Sequence, residues 1–170
     1  MFLVKFVWYA SEDGMGLELD LNDSDDKISF LYELCDTLSS LDNSDFVVSG
    51  FGQDNWPVDV ETDLPILLEQ LGEIGSFLKN EKQELKISFY EQGIERDLLF
   101  KNEGQNVRIS CQSFGSWEPQ FTDETMQIDE FKLMLETFIN NFDSCLERCL
   151  PNFHPKWLIY KDKELGSKRG

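Results

Sequence analysis

One histidine and four cysteines are the residues with which this chain could do nucleophilic or metal chemistry. His154 stands between Phe153 and Pro155, and the cysteines are Cys35, Cys111, Cys145 and Cys149. A general acid or base must titrate near the working pH, which makes His154 the first candidate. Cys149 with His154 would be a nucleophile with its base. Cys145, Cys149 and His154 would supply three ligands of a structural zinc, which takes about four. A second reading explains the same residues without chemistry. The two cysteines lie on one face of a helical pattern and serve as small core residues. His154 follows that helix, where an imidazolium complements the dipole. No C-x-x-C pair, phosphate loop, dinucleotide fingerprint, nucleophile elbow or H-E-x-x-H is present. With 33 acids, some carboxylates fall close together by chance, so inventory does not single out a hydrolytic pair. The expectation is a protein that is not an enzyme, with no catalytic residue, cofactor or metal.

Charge narrows the partners. The net charge is −18, yet 41% of residues are hydrophobic and fourteen are Phe, which a disordered acidic chain would lack. Lys156–Gly170 carries five bases and two acids, so residues 1–155 carry −21. Such a field repels nucleic acid and anionic lipid and attracts basic proteins, raising their association rates by about 10–1000-fold at low salt. No apolar run reaches the ~18–20 residues of a membrane span. Met1–Tyr9 lacks a basic leader and a cleavage site, so it reads as a strand and not a signal peptide. Sparse cysteines suit a reducing compartment. Together these point to a cytoplasmic protein, a monomer or weak homo-oligomer.

The elements follow from periodicity. Phe2–Tyr9 is apolar on both parities, and Leu17, Leu19 and Leu21 alternate with polar residues, which predicts a hairpin of two strands. Ile28, Leu31, Cys35 and Leu38 predict a helix over 26–41, opened by the acids at 23–26. Phe46–Phe51 predicts a third strand. A helix follows over 62–78 with Thr62 as its cap and Gly72 and Gly75 either weakening it or admitting a close neighbour. Leu85–Phe89, Leu98–Phe100 and Val107–Cys111 alternate and predict a meander. The strongest pattern is Ile128, Phe131, Leu135, Phe138, Phe142, Cys145 and Cys149, a helix over 128–150. Trp157–Tyr160 reads as a short strand or packed tail. The fold class is α+β: one domain over 1–160, an antiparallel sheet made of the hairpin and the three-strand meander, with about three amphipathic helices packed on it. Residues 161–170 read as a polar, mildly basic, flexible tail.

The acids fall in bunches beside two tryptophans. Trp56 precedes Pro57 amid Asp54, Asp59 and Glu61. Trp117 lies beside Glu118, with Asp123 and Glu124 after it. A further bunch holds Asp20, Asp23, Asp25 and Asp26. Aromatic anchors rimmed by charge suit protein interfaces. Trp-Pro segments also plug the edges of cores, and both readings stand at this point. These twelve residues are the candidate partner-binding set.

Three segments, Ile87-Ser-Phe-Tyr-Glu-Gln-Gly-Ile-Glu-Arg96, Val107-Arg-Ile-Ser-Cys-Gln-Ser113 and Trp117-Glu-Pro119, precede the long helix. Over roughly residues 85–150 the chain resembles the immunity proteins of bacterial contact-dependent growth-inhibition and polymorphic-toxin systems. The resemblance implies a cytoplasmic protein that binds a cognate toxin domain, often a basic nuclease, and neutralises it. It transfers no individual site residue. The alternative is an acidic intracellular adaptor or regulatory module unrelated to toxins. A third class, an acid-dependent hydrolase, requires two carboxylates with raised pKa values in one cleft.

Overall fold

The computed structural model of the chain describes residues 1–10 and 26–166. The expected strand at 17–21 and the candidates Asp20, Asp23 and Asp25 lie outside the described residues. The fold is α+β, built on two antiparallel sheets. In the first, β1 (Leu3–Trp8) pairs with β2 (Ser44–Ser49), setting Phe6 opposite Phe46 and Val4 opposite Val48. The second has the order β3 (Glu84–Phe89), β4 (Arg96–Glu103), β5 (Asn106–Ser113), β6 (Asp123–Gln127). The meander expected from alternation is therefore present, with one more strand than expected. β6 escapes alternation because Asp-Glu-Thr-Met-Gln carries one buried apolar side chain, Met126.

Helix α1 (Lys27–Ser40) starts where the acids end. The Asp26 carboxylate accepts hydrogen bonds from the backbone N–H groups of Ile28 and Ser29 and from the Ser29 hydroxyl, and these bonds hold its pKa below the usual value. The helix expected over 62–78 is two: α2 (Asp63–Glu69) and α3 (Leu71–Leu78). The break is Gln70. Its side-chain amide donates to the Ile66 and Ser88 carbonyls and accepts from the Ser88 N–H at 2.9 Å, so it stands in for a strand neighbour along β3. Thr62 occupies the cap position of α2, but the cap is Asp59, whose carboxylate accepts the Thr62 N–H at 2.6 Å.

Helix α4 (Ile128–Cys149) joins the two sheets. Its Phe138 and Phe142 meet Phe6 of β1 edge-on, at centroid distances of 6.4 and 5.1 Å. Its Phe131 lies 5.2 Å from Phe100 of β4. One stripe thus buries against both sheets, which makes a single core.

The segment read as a strand or tail is a fifth helix, α5 (His154–Leu165). Trp157 and Tyr160 are three apart and both buried. The Trp157 indole N–H donates to Asp143, and the Tyr160 hydroxyl donates to the Leu68 carbonyl at 2.6 Å. The polar stretch from Lys161 belongs to this helix as far as Leu165. It is tied by Lys161 to Asp143 and by Glu164 to Lys27. Gly72 and Gly75 admit it: a Cβ on Gly75 would stand 3.1 Å from the Glu164 carbonyl oxygen and 3.3 Å from the Leu165 Cα. Backbone does not yield as a flexible side chain does. Gly75→Val is expected to lower stability by about 1–3 kcal/mol, as overpacking does, in urea denaturation followed by circular dichroism.

Candidate functional site

The two tryptophan segments form one site at one end of the four-stranded sheet. β2 runs out at Ser49 into Gly50-Phe51-Gly52, all with positive φ (138°, 56° and 85°). That reversal brings the Trp56 N–H to the Val48 carbonyl at 2.8 Å and the indole N–H to the Gly50 carbonyl at 3.3 Å. The β5–β6 connection crosses it. The Gln120 N–H donates to the Phe51 carbonyl at 2.9 Å, and the Phe51 N–H donates to the Glu124 carboxylate at 2.6 Å. Gly52 sits so close to Gln120 that a Cβ would overlap that side chain. The two indoles then lie 6.0 Å apart, centroid to centroid.

Arg96, the first residue of β4, lies between them. Its guanidinium carbon is 4.2 Å from the Trp56 ring centroid and 3.6 Å from the Trp117 centroid. Only 1% of Arg96 is exposed. Among the described residues no carboxylate forms an ion pair with it, and its Nε and Nη1 have no hydrogen-bond partner. Burial pulls its pKa below the usual value. Two ring faces supply the compensation, worth about 2 kcal/mol or more for a desolvated cation. The Cys111 thiol nearby is pushed up to about 11 by burial, with Arg96 acting in the opposite direction. Burial likewise raises Cys35 and Cys145. These three thiols stay protonated at neutral pH, the opposite of an activated nucleophile. Among the described residues, no three His, Cys, Asp or Glu side chains converge to hold a metal ion.

The outside of this end is aromatic and acidic. Phe114 and Phe121, at the two ends of the connection that carries Trp117, are 60% and 58% exposed. Trp117 itself is half-buried. Asp54, Glu95 and Glu118 are exposed around them and make no ion pair or side-chain hydrogen bond among the described residues.

The structure therefore brings together Asp54, Trp56, Trp117, Glu118 and Glu124, with divided roles. Trp56 is buried and packs edge-on to Phe89, so it is a core plug. Glu124 is half-buried, holding the Phe51 N–H and lying 3.5 Å from the Met1 amine. Asp123 points to the opposite face of the sheet, where the hydroxyls of Ser110 and Thr122 donate to it and lower its pKa. Asp26 and Asp59 are helix caps, and Glu61 is exposed in the turn before α2. Sequence reasoning passed over Arg96, Phe114, Phe121 and Glu95. The parity of Arg96 with Leu98 and Phe100 marks it as inward-facing, and three aromatics within Phe114–Phe121 break the strand alternation.

No protein-family model, no curated protein and no solved structure matches the chain. Among the described residues no helix is long and apolar enough to cross a membrane.

Two outcomes follow from these electrostatics. Arg96→Ala empties the space between the indoles and is expected to cost about 2–4 kcal/mol, with Trp emission shifted to the red as Trp117 meets water. Asp63 is buried, accepts the Asp59 N–H at 3.0 Å and is pushed up to about 6, mainly by desolvation. Its folded pKa exceeds its unfolded one, so the folded state holds the proton more tightly. That contribution is complete below about pH 4 and is lost as pH rises through 6. The loss is expected to be about 2–3 kcal/mol. In urea denaturation across this range, Asp63→Asn, which keeps the acceptor, should flatten the slope.

Proposed function

We propose that this chain is a cytoplasmic immunity protein that binds and neutralises a cognate basic toxin domain, with the sheet end around Trp117 as its contact surface. One observation carries the reading: exposed Phe114 and Phe121 and half-buried Trp117 share a connection near exposed Asp54, Glu95 and Glu118, which make no ion pair among the described residues. Aromatic side chains supply most of the energy of a protein contact when water is excluded around them. Unpaired acids beside them select a cationic partner and speed its approach. The loop face is also preorganised. Its two segments are joined by the Gln120–Phe51 backbone bond and the Phe51–Glu124 bond and braced by Arg96 beneath, so little ordering entropy is lost on binding. A nuclease active site, built to hold phosphate with Lys and Arg, is the chemistry such a face would cover.

The direct test is native mass spectrometry of the chain with the toxin domain encoded beside its gene. A one-to-one complex with loss of toxin activity is expected. Absence of a complex at both low and moderate salt overturns the reading. The paired reversal Asp54→Lys/Glu118→Lys is expected to weaken the complex by about tenfold or more, chiefly by slowing association, and to flatten its salt dependence. Circular dichroism should be unchanged, because both side chains are exposed.

A further inference from the structure

A strand at the margin of a sheet carries a row of backbone N–H and C=O groups that needs a cover. Among the described residues the two sheets have four margins, β1, β2, β3 and β6, and three are covered. Along β1 the Val4 N–H meets the Met134 thioether at 3.3 Å and the Asn141 amide donates to the Phe6 carbonyl at 3.1 Å, both from α4. The Val48 carbonyl of β2 accepts the Trp56 N–H, and Gln70 bonds both backbone groups of Ser88 in β3. Strand β6 differs. Just before it the Thr122 carbonyl accepts the Cys111 N–H at 2.9 Å, and just after it the Ile128 N–H reaches the Gln105 carbonyl at 2.8 Å. That phase turns the backbone groups of Glu124 and Met126 to β5 and those of Asp123 and Thr125 away from it. Among the described residues the N–H and C=O groups of Asp123 and Thr125 have no hydrogen-bond partner, and both residues are exposed. The Asp123 carboxylate does not shield this edge, because it is turned onto the hydroxyls of Ser110 and Thr122 at 2.6 and 2.9 Å.

We propose that the free edge of β6 receives an extended segment of the partner protein as a fifth strand of the sheet, with apolar side chains on one face and Lys or Arg on the other. Alternating donors and acceptors at strand spacing are complementary to an extended backbone, which supplies the affinity, while its side chains supply the choice of sequence. Those side chains alternate between the two faces of the sheet. One set falls on the side of Met126, beside a hollow of about 360 Å³ that Met126 lines together with the exposed Met1 and Leu133. The other set falls beside Thr125 and Asp123. Charge selects bases there. Asp129 and Glu130 follow Asp123 at the start of α4, against Arg108, which Glu103 engages at 3.1 Å, and Lys5 further along β1. A second copy would bring another −18 to the same acids. The edge also continues the proposed contact surface, since Phe121 stands two residues before β6 and is 58% exposed. The inference rests on the reading of a basic protein partner and names how its backbone is held.

The probe is a blocked peptide of alternating Val and Lys. Its controls are a Val/Glu counterpart and the same Val/Lys peptide with alternate backbone nitrogens methylated, which keeps every side chain and removes the donors on one edge. Amide hydrogen exchange by NMR gives the readout at physiological salt. In the free chain the amides of Asp123 and Thr125 are expected to exchange faster than those of Glu124 and Met126. The Val/Lys peptide should bind and slow both, while the methylated peptide binds at least about tenfold more weakly and the Val/Glu peptide severalfold more weakly. Thr125→Pro removes a donor that points away from the sheet, a position where proline is tolerated, so circular dichroism should be unchanged and peptide binding lost. Protection of Asp123 and Thr125 in the free chain overturns the proposal, as does failure of the Val/Lys peptide to bind or equal binding of its methylated form. So does protection that appears only as the chain dimerises with concentration, because the occupant is then a second copy. Peptide addition at β6 without capture of any toxin domain sinks the immunity reading and leaves the edge assignment standing. Toxin capture that folded Thr125→Pro leaves at full affinity does the reverse.

Discussion

Two sheets that share no strand must be made into one core, and the Phe stripe of α4 does this. Phe138 and Phe142 stand on the two-stranded sheet through Phe6, while Phe131 stands on the four-stranded sheet through Phe100. Edge-on and tilted contacts of this kind add to area burial about 0.5–1.5 kcal/mol per pair. A two-stranded sheet is marginal in water by itself, so β1 and β2 depend on this helix for their existence. The surface features depend on it in turn. The Gly50–Trp56 reversal is anchored at the end of β2, which α4 backs.

A chain with 33 acids must dispose of them, and the structure separates three uses. Some acids are spent on backbone: Asp26 and Asp59 cap helices, and Glu124 holds Phe51. Some are spent on ion pairs such as Lys86 to Asp97 at 2.7 Å and Lys27 to Glu164 at 2.6 Å. Others, among them Asp54, Glu95 and Glu118, are exposed and make no ion pair among the described residues. Arg96 is the counterpart. In so acidic a chain, this base is buried with no carboxylate paired to it among the described residues, and two indole faces hold it.

Strong periodicity made the α4 stripe and the meander legible, because burial on one face leaves a direct imprint on residue order. The α+β class followed from them. Elements held by single side-chain bonds left no such imprint. Gln70 divides α2 from α3 by bonding Ser88, eighteen positions away, and no local pattern announces that. β6 is polar and is defined by its neighbour β5. Helix α5 was obscured because Trp-Leu-Ile-Tyr suits a strand as well as a helix, and its bonds to Asp143 and Leu68 decide the matter. The two tryptophans were visible as a pair of alternatives. Trp56 is buried and Trp117 half-buried, and both stack on Arg96, whose inward position was readable from parity but whose partners were not.

The docking of α5 also has a consequence for the order of folding. Its anchors reach far back along the chain: Tyr160 to Leu68 spans 92 positions, and Glu164 to Lys27 spans 137. Loop closure over such separations is slow compared with local helix formation. The glycine-bearing face of α3 is covered only once α5 has formed and closed over these separations. Helix α5 is thus a late latch on the α2–α3 flank, placed after the local helices and the meander in the order of folding.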